Sequence, residues 1–146
     1  MKKIFILLFL LSACGYQPLY NINKSNFFFK DLELYGDKVI NRKIISSLKI
    51  KENQKKDSTT TIIIDSSKKI TETSKNSRGQ PETYRTNVVI KLTIKDLEKV
   101  IKSKTFEEYF SYDNLDNKYD LLNYQNDIEN NLVNKIIEDI ILYINL

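Results

Sequence analysis

Tyr84-Arg85-Thr86-Asn87-Val88-Val89-Ile90-Lys91-Leu92-Thr93-Ile94-Lys95 alternates almost without a break. Tyr84, Thr86, Val88, Ile90, Leu92 and Ile94 share one side. Arg85, Asn87, Val89, Lys91, Thr93 and Lys95 share the other. Successive side chains of a strand point to opposite faces, so this stretch predicts a strand with one apolar and one mostly wet face. Such a strand belongs in a sheet that is covered on one side only.

The neighbouring stretches extend that sheet. Upstream, residues 74–82 carry Gly79 and Pro81 among polar residues and read as a hairpin loop. Before them, residues 59–65 are dominated by β-branched side chains and predict a strand, with a more polar extension through residues 70–73. Downstream, residues 96–99 can turn the chain, and residues 100–112 read as a third, less regular strand. Near the start, residues 27–35 are aromatic and partly alternating, with Leu32 and Leu34 opposite Asp31 and Glu33. Gly36 ends that strand, and Asp37 is a good N-cap for a helix from residue 38 to about 50. There Ile40, Ile44 and Leu48 recur every four residues, with Ile45 beside them, leaving Arg42, Lys43 and Lys49 for water. Residues 53–57 form a charged loop.

Residues 113–118 break the pattern again. From about Leu121 onward, Ile128, Leu132, Ile136, Ile140 and Ile144 recur at i+4, flanked by Val133, Ile137 and Ile141. This predicts a long helix with a broad apolar stripe, and with Asp127, Glu129, Asn130, Glu138 and Asp139 on its other face. A helix lying on a membrane usually carries Lys and Arg, whereas this one is acidic, so the stripe is read as core. The expected fold is α+β: an about four-stranded, mostly antiparallel sheet with two helices packed on one face, in the order β-α-β-β-β-α.

Ahead of this domain, Lys2-Lys3 precede an apolar run that ends in Leu11-Ser12-Ala13-Cys14, the order of a secretory signal peptide. Leu-Ser-Ala-Cys also resembles the bacterial lipobox. In that motif the cysteine takes a diacylglycerol thioether and an N-acyl chain and becomes the mature N-terminus. The alternatives are a plain signal peptide with an incidental thiol, or a short uncleaved anchor. The apolar run falls well short of the ~20 residues that a spanning helix needs. The expected organisation is therefore a signal peptide over residues 1–13, a lipidated tether over 14–25, and one domain over 26–146. Gly15 follows Cys14 where inner-membrane retention in enterobacteria uses Asp, so outer-membrane sorting is expected.

Composition argues against an enzyme. The chain has no histidine, one cysteine and three glycines. That removes the commonest general base and metal ligand, His-activated nucleophiles and Gly-rich phosphate loops. No cofactor or metal is expected beyond the lipid on Cys14. The formal charge of +4 conceals a division. From Cys14 to Thr105 there are 19 basic and 10 acidic residues, and from Phe106 to the end 2 and 9. The basic section suits membrane headgroups or lipid A phosphates, export removing nucleic acid as a partner. The same lysines also serve to keep strand edges and exposed faces soluble.

The chain resembles the lipopolysaccharide-assembly lipoproteins of the LptE family. The mature start Cys14-Gly15-Tyr16-Gln17-Pro18-Leu19-Tyr20 resembles that family's Cys-Gly-aromatic opening. The element order matches, and Tyr109-Phe110-Ser111-Tyr112-Asp113-Asn114 resembles its aromatic–Asp–Asn passage before the last helix. Ser77-Arg78-Gly79-Gln80 falls where the family has a Gly-containing basic loop, although Gln80 stands about where a loop arginine is expected. The resemblance implies a non-enzymatic outer-membrane lipoprotein inside the β-barrel LptD. It would support barrel assembly and help deliver lipopolysaccharide to the outer leaflet. It also implies lipopolysaccharide contacts near Arg78, Arg85 and Lys104. An accessory lipoprotein of another envelope transport or secretion complex, or a free-standing periplasmic binder of an anionic lipid or polymer, suits the same domain.

Overall fold

A computed structural model of the chain describes residues 28–48, 51–52 and 59–145. Cys14, the tether, Lys49 and the charged loop lie outside the described residues. The order is β1 (Phe28–Phe29), β2 (Asp31–Gly36), α1 (Lys38–Leu48), β3 (Lys51–Glu52), β4 (Thr60–Lys75), β5 (Pro81–Asp96), β6 (Lys99–Asp113) and α2 (Lys118–Asn145). The main sheet runs β2-β4-β5-β6, and β1 and β3 form a separate two-stranded sheet.

In the main sheet β4, β5 and β6 are antiparallel neighbours, while β2 lies parallel to β4 with Leu32 opposite Ile62. The sheet is therefore mixed, its one parallel pair being the two strands that α1 connects. The first strand is also not continuous. It breaks at Lys30, with β1 turning to β3 and β2 joining β4, and the Lys30 amide donating to the Thr60 carbonyl at 2.8 Å.

The alternation of β5 behaves as expected. Thr86, Val88, Ile90, Leu92 and Ile94 are buried, and Ile62, Ile64, Phe106 and Tyr112 lie on the same face. Both helices cover that face. Ile40, Ile44 and Leu48 of α1 and Ile128, Leu132, Val133, Ile136, Ile137 and Ile140 of α2 join one core with it. The stripe of α2 is core packing. The opposite face of the sheet is uncovered by any described element.

Lengths explain where coverage stops. Strands of 16 residues span ~50 Å, whereas 11-residue α1 spans ~16 Å and 28-residue α2 ~42 Å. Towards the β4–β5 turn only the first turns of α2 remain on the inner face. Aromatic side chains seal that end. Tyr112 stacks on Tyr84 at 5.9 Å, meets Tyr124 edge-on at 5.6 Å, and its hydroxyl bonds Thr86 Oγ1 at 3.1 Å.

A buried polar knot fixes α1 to the sheet. Gly36 has φ +83°, and a Cβ there would fall 1.8 Å from the Ser66 carbonyl oxygen. The Asp37 amide donates to that same oxygen at 2.9 Å. Asp37 Oδ1 accepts from the amides of Val39 and Ile40, as an N-cap should. Asn41 donates to the Tyr35 carbonyl at 2.8 Å and accepts from Ser66 Oγ at 2.8 Å. Lys43 departs from the expectation of a water-facing lysine. It is half-buried and donates to the carbonyl and Oδ1 of Asn130 on α2, and burial pulls its pKa below the ordinary lysine value against the pull of Glu129.

α2 begins three residues ahead of the first expected apolar position. Asn117 caps it, its Oδ1 accepting from the Tyr119 and Asp120 amides. No described helix is long and apolar enough to cross a membrane.

Candidate functional site

The sheet has two hairpin ends, and they differ in chemistry. At the β4–β5 end, Asn76 organises the turn. Its Oδ1 accepts from the amides of Arg78 and Gln80 at 3.0 Å each, and its carbonyl accepts from the Gly79 amide at 2.9 Å. Gly79 takes φ +77°, and a Cβ there would meet nothing within 4 Å. The turn thus projects Arg78 into water on an unstrained backbone. The Arg78 side chain has no partner among the described residues.

Arg85 stands on the same hairpin, on the uncovered face of β5. Its Nε donates to Ser111 Oγ at 3.0 Å, and its guanidinium carbon lies 4.9 Å from the centre of the Tyr109 ring. The tyrosine face and the serine hold the guanidinium plane while its remaining N–H groups stay free for a ligand. That arrangement suits a phosphate or carboxylate gripped by two N–H groups. Beside it, Asn87 donates to Glu107 at 2.8 Å, and Asn87 Oδ1 is buried with no partner among the described residues.

On the inner side of this end lies an open cleft of about 730 Å³ between the hairpin base and the start of α2. Glu82, Asp113 and Asp116 line it against the single cation of Lys118. An anion is repelled there, so the uncovered face carrying Arg85 is the favourable place for one. No three His, Cys, Asp or Glu side chains among the described residues are grouped to hold a metal.

Lys104 does not join Arg78 and Arg85. Leu92 opposes Lys104 and Arg85 opposes Ser111, so the two cations are seven positions apart along the sheet, ~23 Å, and on opposite faces. Lys104 lies on the helix side, its Nζ 4.8 Å from the centre of the Phe106 ring and 5.3 Å from that of Tyr143. Lys102 sits alongside, 5.5 Å from the Tyr143 ring and donating to the Tyr143 carbonyl at 3.4 Å. Both ammonium groups meet the negative end of the α2 dipole, which is a structural use of charge.

The β5–β6 end is different in kind. Asp96 pairs with Lys99 across a two-residue turn, Leu97-Glu98. Leu97 has φ +53° and Glu98 does not share the positive value. A turn with positive φ at its first central residue favours glycine there, as in type II′. A leucine in this region costs roughly 1 kcal/mol. β6 then bulges opposite the Ile94–Lys95 step, leaving Ile101 without a pairing partner. Leu97, Val100 and Ile101 are 68%, 50% and 56% exposed. Only the alternation-breaking Asp96-Leu97-Glu98-Lys99, a turn without Gly or Asn, could have signalled this in the sequence.

Comparison with solved structures places this geometry in a known fold. Rare lipoprotein B from Shewanella oneidensis superposes with a TM-score of 0.52 at 15% identity, covering 77% of this chain and 91% of that one. A minor lipoprotein from Acinetobacter baumannii gives a TM-score of 0.57 at 11% identity, covering 77% and 88%. Lipoprotein B from Nitrosomonas europaea gives 0.56 at 12% identity, covering 77% and 80%. No protein-family model and no characterised protein matches by sequence. Rare lipoprotein B is an LptE protein, so the fold is the one the family resemblance implied.

Proposed function

We propose that the chain is an outer-membrane lipoprotein, anchored through lipid on Cys14 and facing the periplasm. In this reading it partners an LptD-type β-barrel, supports its assembly and helps deliver lipopolysaccharide to the outer leaflet. The observation that carries this is the coincidence of two independent features. The domain shares its fold with solved lipoproteins over 77% of the chain, and Leu11-Ser12-Ala13-Cys14 stands ahead of it. The role is one of binding and placement, without catalysis.

The best-formed anion site supports the ligand class. Arg85 is pre-oriented by Tyr109 and Ser111 on the open face, and Arg78 stands free at the tip of the same hairpin. Together they suit the phosphates of a lipopolysaccharide, whereas Lys104 is engaged on the helix side. Reversing charge with Arg78→Glu and Arg85→Glu should weaken lipopolysaccharide binding by an order of magnitude or more while leaving thermal unfolding unchanged. Unchanged binding would remove both arginines from the site.

Isolation of the tagged full chain from detergent-solubilised membranes tests the partner. A large outer-membrane barrel of the LptD type is expected as the main companion, and depletion of the chain should lower both the mature barrel and surface lipopolysaccharide. Recovery of a transport or secretion complex in its place would assign the chain to that machine.

A further inference from the structure

The β5–β6 turn combines three features that folding alone does not ask for. Leucine occupies a left-handed position where glycine or asparagine relieves strain. A bulge frees the next aliphatic residue, Ile101, from pairing. Leu97, Val100 and Ile101 are each at least half exposed. Strain and exposed hydrophobicity at one tip point to a use outside the domain.

Charge around the tip indicates what it meets. Lys95 and Lys99 flank it, while Lys102 and Lys104, further along β6, are held against the end of α2. Opposing acids are Glu98 in the turn itself and Asp96, which accepts from the Thr59 hydroxyl. Lysines flanking an aliphatic tip reach headgroup phosphates while the tip enters the layer beneath.

Position supplies the third argument. Lys30 bonds Thr60, Thr60 opposes Asp96, and the Leu97 amide donates to the Thr59 carbonyl at 3.1 Å. The tip is thus two strand spacings, ~10 Å, from the point where the chain enters the sheet. Cys14 lies only 14 residues before Phe28. The end of the sheet at which the chain enters is the end with the apolar tip, and the arginine-bearing hairpin is ~50 Å away.

We propose that the β5–β6 turn is a membrane contact, in which Leu97, Val100 and Ile101 seat in the anionic phospholipid leaflet that holds the anchor. Lys95 and Lys99 meet the headgroup phosphates. This rests on the lipoprotein reading for which membrane is met, and it adds an orientation. Acyl chains on Cys14 suffice for attachment, so the turn fixes which end of the domain faces the bilayer.

The chain contains no tryptophan, so Leu97→Trp introduces a single reporter. The full acylated chain carrying it is mixed with phosphatidylethanolamine–phosphatidylglycerol vesicles whose acyl chains are brominated. Fluorescence should shift to the blue and fall at least twofold relative to unbrominated vesicles. Val39→Trp, at an exposed position on α1, should change little. Equal behaviour of the two reporters would overturn the proposal. Equal quenching with phosphatidylcholine alone would overturn the part given to the lysines. Vesicle flotation of the unsubstituted chain reads the anchor separately. Flotation without Leu97→Trp quenching sinks the membrane contact and leaves the anchor standing. Absence of flotation sinks the anchor, and Leu97→Trp quenching at raised vesicle concentration then decides the turn by itself.

Discussion

Gly79 at one end of the sheet and Leu97 at the other both hold positive φ, +77° and +53°. At Gly79 the conformation is free of cost, and the turn is closed by Asn76 and presents a polar, cationic tip. At Leu97 the same region of backbone space is held by a branched aliphatic side chain, and the tip is greasy. The difference teaches that the two turns answer to different demands. The first is built as a stable support for Arg78 and Arg85. The second sacrifices local stability to display hydrophobic surface beside the chain's entry point.

Removing the aromatic seal at the arginine end should have the largest effect. Tyr112→Ala loses the stacking with Tyr84 and Tyr124 and leaves Thr86 without its partner. A loss of about 3–5 kcal/mol is expected in denaturant unfolding. A loss below about 1 kcal/mol would mean that this end is not held by its aromatics. Gly79→Leu imposes on the first turn what the second already bears. It should cost about 1–2 kcal/mol, with no clash because nothing lies near the new Cβ. The converse change, Leu97→Gly, should be neutral or stabilising by up to about 1 kcal/mol. A clear destabilisation there would show that Leu97 is needed for the fold, and would collapse the contrast between the ends.

The smallest effect belongs to the middle of the sheet. Glu108 raises the pKa of Lys135 above the ordinary lysine value, first by a hydrogen bond at 2.8 Å and then by charge. A raised lysine contributes stability below its unfolded value, and that contribution is lost as pH rises through the folded one. Lys135→Met should therefore lie slightly below the parent in melting temperature at neutral pH and converge with it in strong alkali. Divergence with rising pH would contradict the pairing.

Much of the fold was legible because it depends on periodicity. The alternation of residues 84–95, the i+4 stripe of α2 and the Gly36-Asp37 junction each reflect a local rule that the core enforces. β4 was harder, since beyond Asp65 its residues apart from Ile70 are polar, and the strand continues because β5 pairs with them as far as Pro81. The break at Lys30 and the β1–β3 pair depend on partners distant in sequence, which a local pattern does not encode. Lys43 looks like a solvent lysine by spacing, and Lys104 was expected beside Arg78 and Arg85; it is the approach of α2 that engages both elsewhere. For the candidate site, Arg78 and Arg85 were found as residues of one hairpin. Their supports, Tyr109 and Ser111, come from β6 and require the strand register. Leu97 was passed over because a turn without glycine reads as a weak turn, when it is a strained one.

Placing a photoreactive benzoylphenylalanine at Arg78, and separately at Leu97, in the full chain in living cells measures both ends at once. The account predicts an adduct between the Arg78 position and an LptD-type outer-membrane barrel or its lipopolysaccharide. From the Leu97 position it predicts phospholipid adducts. Phospholipid adducts from Arg78, or barrel adducts from Leu97 alone, would contradict the assignment of the two ends.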